Sequence, residues 1–477
     1  MDLRETFIKA AIWHGSLERA EAMLAAHPEL AAADVHIAAV LGDDEAVRRF
    51  LAIDSANATS KSGPHGGDAL NYLCLSKYLR LDRSRTDAFL RAATALLEAG
   101  ADPNTGFWTT GEFPEHETAL YGAAGVAHHP EMTRLLLEWD ADPNDGEAVY
   151  HSPETTANGA MQLLVDTGQL TADSLTLMLI RKHDWHDPEG AKYLLEHGAD
   201  PNRRWGRSLF PMQHALARSN AIQMFRLLLD HGADPTLTAS DVSIGGRTAD
   251  TVEGLSAITM AAREGRADVL ELFAQRGIPI ELKGFDRLVA ACARNDAATV
   301  RRMVERAPQL LDALSTMGGT LIARFTINWN ANGVRQLLDL GVDVAAPYGE
   351  GDGYFGITKD SLPIHVAGGS RSPRSCGFSL SAARRSTCLT RTGVRRWRSP
   401  CARASIHIGP SDARPSPYAR CSVPERPCPA CRIRAGTRRS TSCSRLTRRA
   451  TRSRTTRIGE CRTRSVNLEP TGARNLL

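Results

Sequence analysis

The apolar positions of the chain come in bursts with a helical period. Leu96-Leu97, Leu135-Leu136-Leu137, Leu194-Leu195 and Leu227-Leu228-Leu229 each close such a run. Three residues after each stands Gly100, Asp140, Gly198 or Gly232, and then Ala-Asp-Pro, so that the blocks end at Asn104, Asn144, Asn202 and Thr236. Looser copies end at Ile280 and Val344. The pattern predicts a helix that stops at a residue with φ > 0, where glycine carries no Cβ penalty. The Asp-Pro that follows starts an extended turn and keeps the helix from continuing. A second signature precedes these blocks. Leu362-Pro363-Ile364-His365-Val366-Ala367 is its cleanest copy, with looser ones at Phe210–Ala215, Ser256–Ala261 and Thr118–Ala123. Proline at its second position suits a first helical turn, whose amide has no intrahelical partner. Each unit is therefore expected to be two antiparallel helices and a protruding turn.

The Gly-type positions run Gly100, Asp140, Gly168, Gly198, Gly232, Gly277, about Ala307, and Gly341. The longer steps mark insertions near 105–116 and 237–252, and a further one occupies 60–67. Weaker helix pairs over 5–30 and 35–54 open the series. About ten pairs fill residues 1–369, with an eleventh begun at Leu362. Such a unit cannot bury its apolar face alone, so the stack is expected to share one continuous Leu/Ala core. The last complete pair is expected to leave Val334, Leu337 and Leu338 without a neighbour.

Together the two signatures resemble the ankyrin repeat, with its T-P-L-H-x-A opening and G-A-D-x-N close. The resemblance covers nearly all of residues 1–369. It implies an all-α ankyrin-repeat solenoid that binds a protein partner along its concave, finger-bearing face, without catalysis and without a cofactor.

Composition sharpens this picture. The chain of 477 residues is 42% hydrophobic but only 6% aromatic, so its core is aliphatic. No apolar run approaches the ~18–20 residues that span a bilayer, and the N-terminus lacks a charged-then-apolar leader, so a cytoplasmic location away from membranes is expected. The net charge of +4 hides an asymmetry. Residues 370–477 hold 25 Arg, no Lys and four acids, a net +21, whereas residues 1–369 hold 33 Lys and Arg against 50 Asp and Glu, a net −17. Eight of the ten cysteines also lie beyond 370; Cys74 and Cys292, on apolar helix faces, are expected to be buried packing residues.

Residues 370–477 admit three readings: a basic, unfolded arm that binds nucleic acid, a zinc site at Cys428 and Cys431, or an out-of-frame continuation of the repeats. The third is favoured. The pattern stops abruptly at Gly368-Gly369, and arginine without lysine is what shifted GC-rich codons give. Back-translation read one nucleotide earlier yields, over Ser375–Ala404, a helix end, a Gly-Ala-Pro-Val-Asp turn and a new Thr-Ala-Leu opening. The segment as written is expected to lack a stable fold. The alternative function, nucleic-acid association, rests on this segment alone.

Residues 1–369 contain no phosphate loop, dinucleotide fingerprint, nucleophile elbow or zinc-protease motif, so no enzyme is expected. His183-Asp184-Trp185-His186-Asp187 has the composition of a metal site, but its place in the repeat predicts a turn between helices, with Asp187 as N-cap and Pro188 in the first turn. His128-His129-Pro130 holds the same place in an earlier unit, and no metal is expected. His365 is expected to be a structural hydrogen-bonder. The candidate partner-binding residues are aromatic: Phe107 and Trp108 after the first Ala-Asp-Pro-Asn, Trp205 in the same relative place later, and Tyr348, Tyr354 and Phe355 in a Gly-rich segment. On protruding turns they would serve as interface anchors. With −17 on the array, a partner with a basic surface is expected.

Overall fold

In a computed structural model the described residues are 2–110, 114–242, 254–363, 365 and 366. The readings of residues 370–477, and the domain boundary at 369, lie outside them. The described residues form ten antiparallel helix pairs. Their first helices are Leu3–Ala11, Val35–Leu41, Ala69–Cys74, the π-helical Tyr121–Val126, Gly146–His151, Ala172–Asp184, Pro211–Ala217, Ala257–Arg263, Gly284–Ala293 and Leu310–Ile327. Their second helices are Glu18–Ala26, Asp44–Ile53, Thr86–Glu98, Pro130–Glu138, Gly159–Asp166, Pro188–Glu196, Ile222–Asp230, Ala267–Gln275, Ala297–Arg306 and Ala331–Asp339. We number these units 1 to 10. This is the all-α ankyrin-repeat solenoid that the motifs imply.

The turn inside most units follows one rule. A residue just after the first helix adopts the left-handed conformation: Trp13 (with Gly15 two residues on), Gly42, His128, His186, Ser219, Gly265, Asn295 or Trp329. In units 2, 4, 6, 9 and 10 the side chain of the next residue then caps the second helix. His129 Nδ1 accepts from the Met132 amide, Asp187 from Gly190, Asp296 from Thr299 and Asn330 from Gly333. Each such cap satisfies one of the amides a helix start leaves unpaired. The cluster at 183–187 is therefore the end of one helix and the turn into the next.

The turns between units, the fingers, explain the Asp-Pro-Asn motif. Asp102, Asp142, Asp200 and Asp234 each accept from the amide two residues on, closing the turn on itself. The Asn instead reaches the next unit along, donating with its Nδ2 and accepting with its Oδ1. Asn104 donates to the Asp140 carbonyl and accepts from the Asp142 amide. Asn144 donates to Gln169 and accepts from Thr171, and Asn202 donates to Gly232 and accepts from Asp234. An amide side chain with both functions is the residue type this bridge needs. Thr236, where the motif loses its Asn, bonds Asp234 of its own turn.

Four expectations are corrected. The 105–116 insertion does not project as an open finger. It closes into a hairpin of β1 (Gly106–Trp108) and β2 (His116–Thr118), with Phe107 opposite Glu117 and Trp108 opposite His116. No finger forms near Ala307, whose φ is −144°; three residues join unit 9 to the long first helix of unit 10. The core is also divided. One cluster runs from Phe7 to Ala290, a second from Leu288 to Val342, and a third joins Ala323, Ile327, Tyr348, Ile357 and Val366. Val334 and Leu337 are buried in the second cluster rather than left open.

Candidate functional site

The hairpin carries one aromatic to each face, because successive strand side chains alternate. Phe107 points inward and is buried. Its ring stacks on His65 at 4.8 Å and meets Trp13 edge-on at 5.5 Å. Trp108 points outward, is 64% exposed and stacks on His116 at 4.8 Å. Trp205 is held in the finger after unit 6 by a tight turn, in which its amide bonds Ser208 Oγ and its carbonyl accepts from the Ser208 amide.

Between these two tryptophans lies a trough. Two cavities of about 320 and 660 Å³ adjoin, sharing Glu115, Gly146 and Glu147. Trp108 and His116 line one end, Trp205 the other, and Val149, Tyr150 and Leu177 form apolar wall between. The fingers enter through Asn104 and Asn144, so the residues that tie unit to unit also shape the trough. Among the described residues the lining carries Glu115, Asp142, Asp145, Glu147 and Asp173 but no Lys or Arg.

Buried charge fixes the central carboxylate. Glu147 lies 3.3 Å from His151 Nε2, and His151 Nδ1 lies 3.1 Å from Glu154. Burial by itself would lower the His151 pKa, but Glu147 and Glu154 overcome it and hold it above the usual imidazole value. Glu154 pairs in turn with Arg181, whose other nitrogen lies 2.6 Å from Asp184. Asp184 also accepts from His214 Nε2 at 2.8 Å and Arg218 Nε at 2.6 Å. Burial pushes Asp184 up, yet Arg218, His214 and Arg181 outweigh it and hold the carboxyl well below its ordinary range. Asp145, at the trough edge, is raised by burial against the hydrogen bond from Thr118.

The Gly-rich segment after unit 10 turns inward. Tyr348 is fully buried in the third core cluster. Tyr354 donates its hydroxyl to the Asp184 carbonyl at 2.7 Å, lies 3.0 Å from His186 Nε2, and carries the Arg218 guanidinium 4.4 Å above its ring. Phe355 packs edge-on against Tyr354 at 4.9 Å and onto the third cluster. Of the six candidate aromatics, Phe107, Tyr348, Tyr354 and Phe355 are thus engaged within the chain, and the reading of them as projecting anchors is corrected. Trp108 and Trp205 share one trough, Trp205 being half-buried against the main core cluster as well. The trough's acids and Tyr150 escaped the sequence reading. The one available signal was a net −17 with no position attached to it.

Cys74 and Cys292 are buried and unbridged, and burial pushes the Cys292 thiol up to about 12. Among the described residues no group of three or more His, Cys, Asp or Glu is arranged to hold a metal, and no helix is long and apolar enough to cross a membrane.

No protein-family profile matches the chain, and no curated protein matches it. Solved structures similar to it include the ankyrin repeat domain of human ASB11, at 22% identity over 47% of this chain and 89% of that one, with a TM-score of 0.35. The ankyrin repeat domain of Bcl-3 is similar at 20% identity over 50% of this chain and 97% of that one, with a TM-score of 0.38.

Proposed function

We propose that the chain is a non-catalytic interaction scaffold whose protein partner docks in the trough on the finger side of units 4 to 6. The observation that carries this reading is the continuous concavity bounded by Trp108 and Trp205. Tryptophan gives large contact area at small entropic cost, and buried aromatic anchors dominate interface energetics. The net −17 of residues 1–369 attracts a partner with a basic surface and speeds its encounter at low salt.

The test starts from peptides selected on the full chain from a random display library. Trp108→Ala and Trp205→Ala are each expected to weaken the selected peptides by ~2 kcal/mol or more. Trp108→Ala should leave thermal stability nearly unchanged, because its ring is largely in solvent. Phe107→Ala should do the reverse, costing roughly 3–5 kcal/mol of stability with affinity intact among folded molecules. Peptides that bind the double tryptophan variant as tightly as the wild type would remove the trough from consideration.

A further inference from the structure

We infer that the trough is an arginine-reading site: it takes an extended segment of a partner protein and seats a guanidinium between the Glu115 and Glu147 carboxylates and the exposed face of Trp108. This deepens the docking reading above and rests on it.

Charge complementarity comes first. The two cavities share Glu115 and Glu147, carry three further acids, and among the described residues present no Lys or Arg. Asp173, at the far end, already holds a guanidinium, that of Arg203 at 2.6 Å. His116 and His151 are the imidazoles of the lining, and His151 is shared between Glu147 and Glu154, against five acids. Shape comes second. Trp108 lies flat on His116, with 19° between the ring planes, which leaves a planar, solvent-facing surface beside the acids. A planar guanidinium stacks on such a surface while its edge donates to carboxylates in a fork; an ammonium is drawn to the ring face but has neither the plane nor the fork. The protein uses this chemistry internally. Arg181 lies 4.2 Å over the Tyr150 ring while bonding Glu154 and Asp184, and Arg218 lies over Tyr354 while bonding Asp184. Length comes third. The trough runs along units 4, 5 and 6, between fingers whose backbone polar groups are already tied by Asn104 and Asn144. An extended segment fits that shape better than a second helix pair.

The test uses the full chain and two fluorescein-labelled Gly/Ser decapeptides of equal charge, one bearing two Arg and the other two Lys at the same positions. Binding is followed by fluorescence anisotropy at 50 and 300 mM salt. The Arg peptide is expected to bind at least tenfold more tightly than the Lys peptide. Glu115→Gln and Trp108→Ala should each weaken it about tenfold, and salt should weaken it further. Glu115 sits in the hairpin rather than in a helix pair, so its variant keeps the test independent of the folding of unit 5; a matching Glu147→Gln measurement is read only if its melting curve is unchanged. Equal binding of the two peptides, or indifference to Glu115→Gln, overturns the inference. If the carboxylate variants are silent while Trp108→Ala and Trp205→Ala still abolish the display-selected peptides, the docking surface stands and only its arginine preference falls. Arg-peptide binding that appears only after proteolytic removal of residues 370–477 assigns the trough to this chain's own Arg-rich segment and overturns a partner in trans.

Discussion

Asn144→Ala tests whether finger-to-finger bridging holds the stack at the trough. The side chain donates to the Gln169 carbonyl at 3.0 Å, and its Oδ1 accepts from the Thr171 amide at 2.8 Å and the Ser174 hydroxyl at 2.9 Å. Alanine removes all three. The partners are near solvent and rehydrate, so each bond is lost at its net value of about 1 kcal/mol rather than at the larger cost of a buried orphan. The turn around Asn144 itself survives, because the Asp142 carboxylate bonds the backbone amide and not the side chain. The expected loss is about 2–3 kcal/mol, all of it at the interface of units 4 and 5 with unit 6. In a repeat array, stability is a sum of unit and nearest-neighbour terms, and a single global unfolding energy is poorly defined. Native-state hydrogen exchange is therefore the assay. The Thr171 amide should exchange roughly 30- to 150-fold faster, as 1.4 kcal/mol corresponds to about a factor of ten, while amides of units 1, 2 and 9 are unchanged. Exchange at Thr171 within about threefold of wild type, or a loss spread evenly over all units, would refute the bridge as the source of coupling.

Asp140 holds the left-handed position that Gly100, Gly198 and Gly232 hold in other fingers. Asp140→Gly should therefore raise the urea midpoint of the surrounding units by about 1 kcal/mol in stability, and an unchanged or lower midpoint would count against a strain at that residue. Acid should destabilise the array. Burial holds His183 at about 3 and His128 and His129 at about 4, so all three stay neutral in the fold. The unfolded chain protonates first as pH falls below about 6.5, so their stabilisation is present above that value and is lost toward pH 4 and 3. Each costs about 1.3 kcal/mol between pH 7.5 and 5.5, about 4 kcal/mol together. His151, with a raised pKa, contributes in the opposite sense and loses its contribution as pH rises through its folded value. Equal urea midpoints at the two pH values would contradict the three neutral histidines. Gly319→Ala should destabilise unit 10 although alanine favours helix by about 1 kcal/mol, because a Cβ there overlaps the Pro347 carbonyl oxygen and Ala346; a higher melting temperature would show that the chain over this helix can move aside. Finally, if residues 370–477 continue the repeats out of frame, the coding DNA read one nucleotide earlier beyond Gly369 stays open and encodes at least two more units. A prompt stop codon in that frame ends the idea.

What the sequence made visible and what it hid follow from the range of the interactions involved. The helices, their turns and the left-handed positions were legible because each depends on residues within about five positions. A Leu-rich period, an Asp or His cap, a proline in the first turn and a glycine after the last suffice. The same locality explains Asp187 and His129, whose polar character suggested chemistry but whose place in the unit marked them as caps. The errors lie where contacts span units. Phe107 and Trp108 are adjacent, so a loop reading gives both the same fate; only the pairing of β1 with a strand ten residues away sends one inward and the other outward. Tyr354 is an anchor or a latch depending on Asp184, His186 and Arg218, which lie more than 130 residues earlier. Gly318-Gly319 would normally interrupt a helix, but here they let the chain at Val342 to Pro347 lie against the longest helix among the described residues. The trough belongs to this second class. Glu115 comes from an insertion, Glu147 and Asp173 from the first turns of two different units, and Trp205 from a finger beyond them. Each acid alone is an ordinary helix-start or loop residue. Their function as a set is created by stacking, which repeats a local unit but gathers unlike residues along one edge.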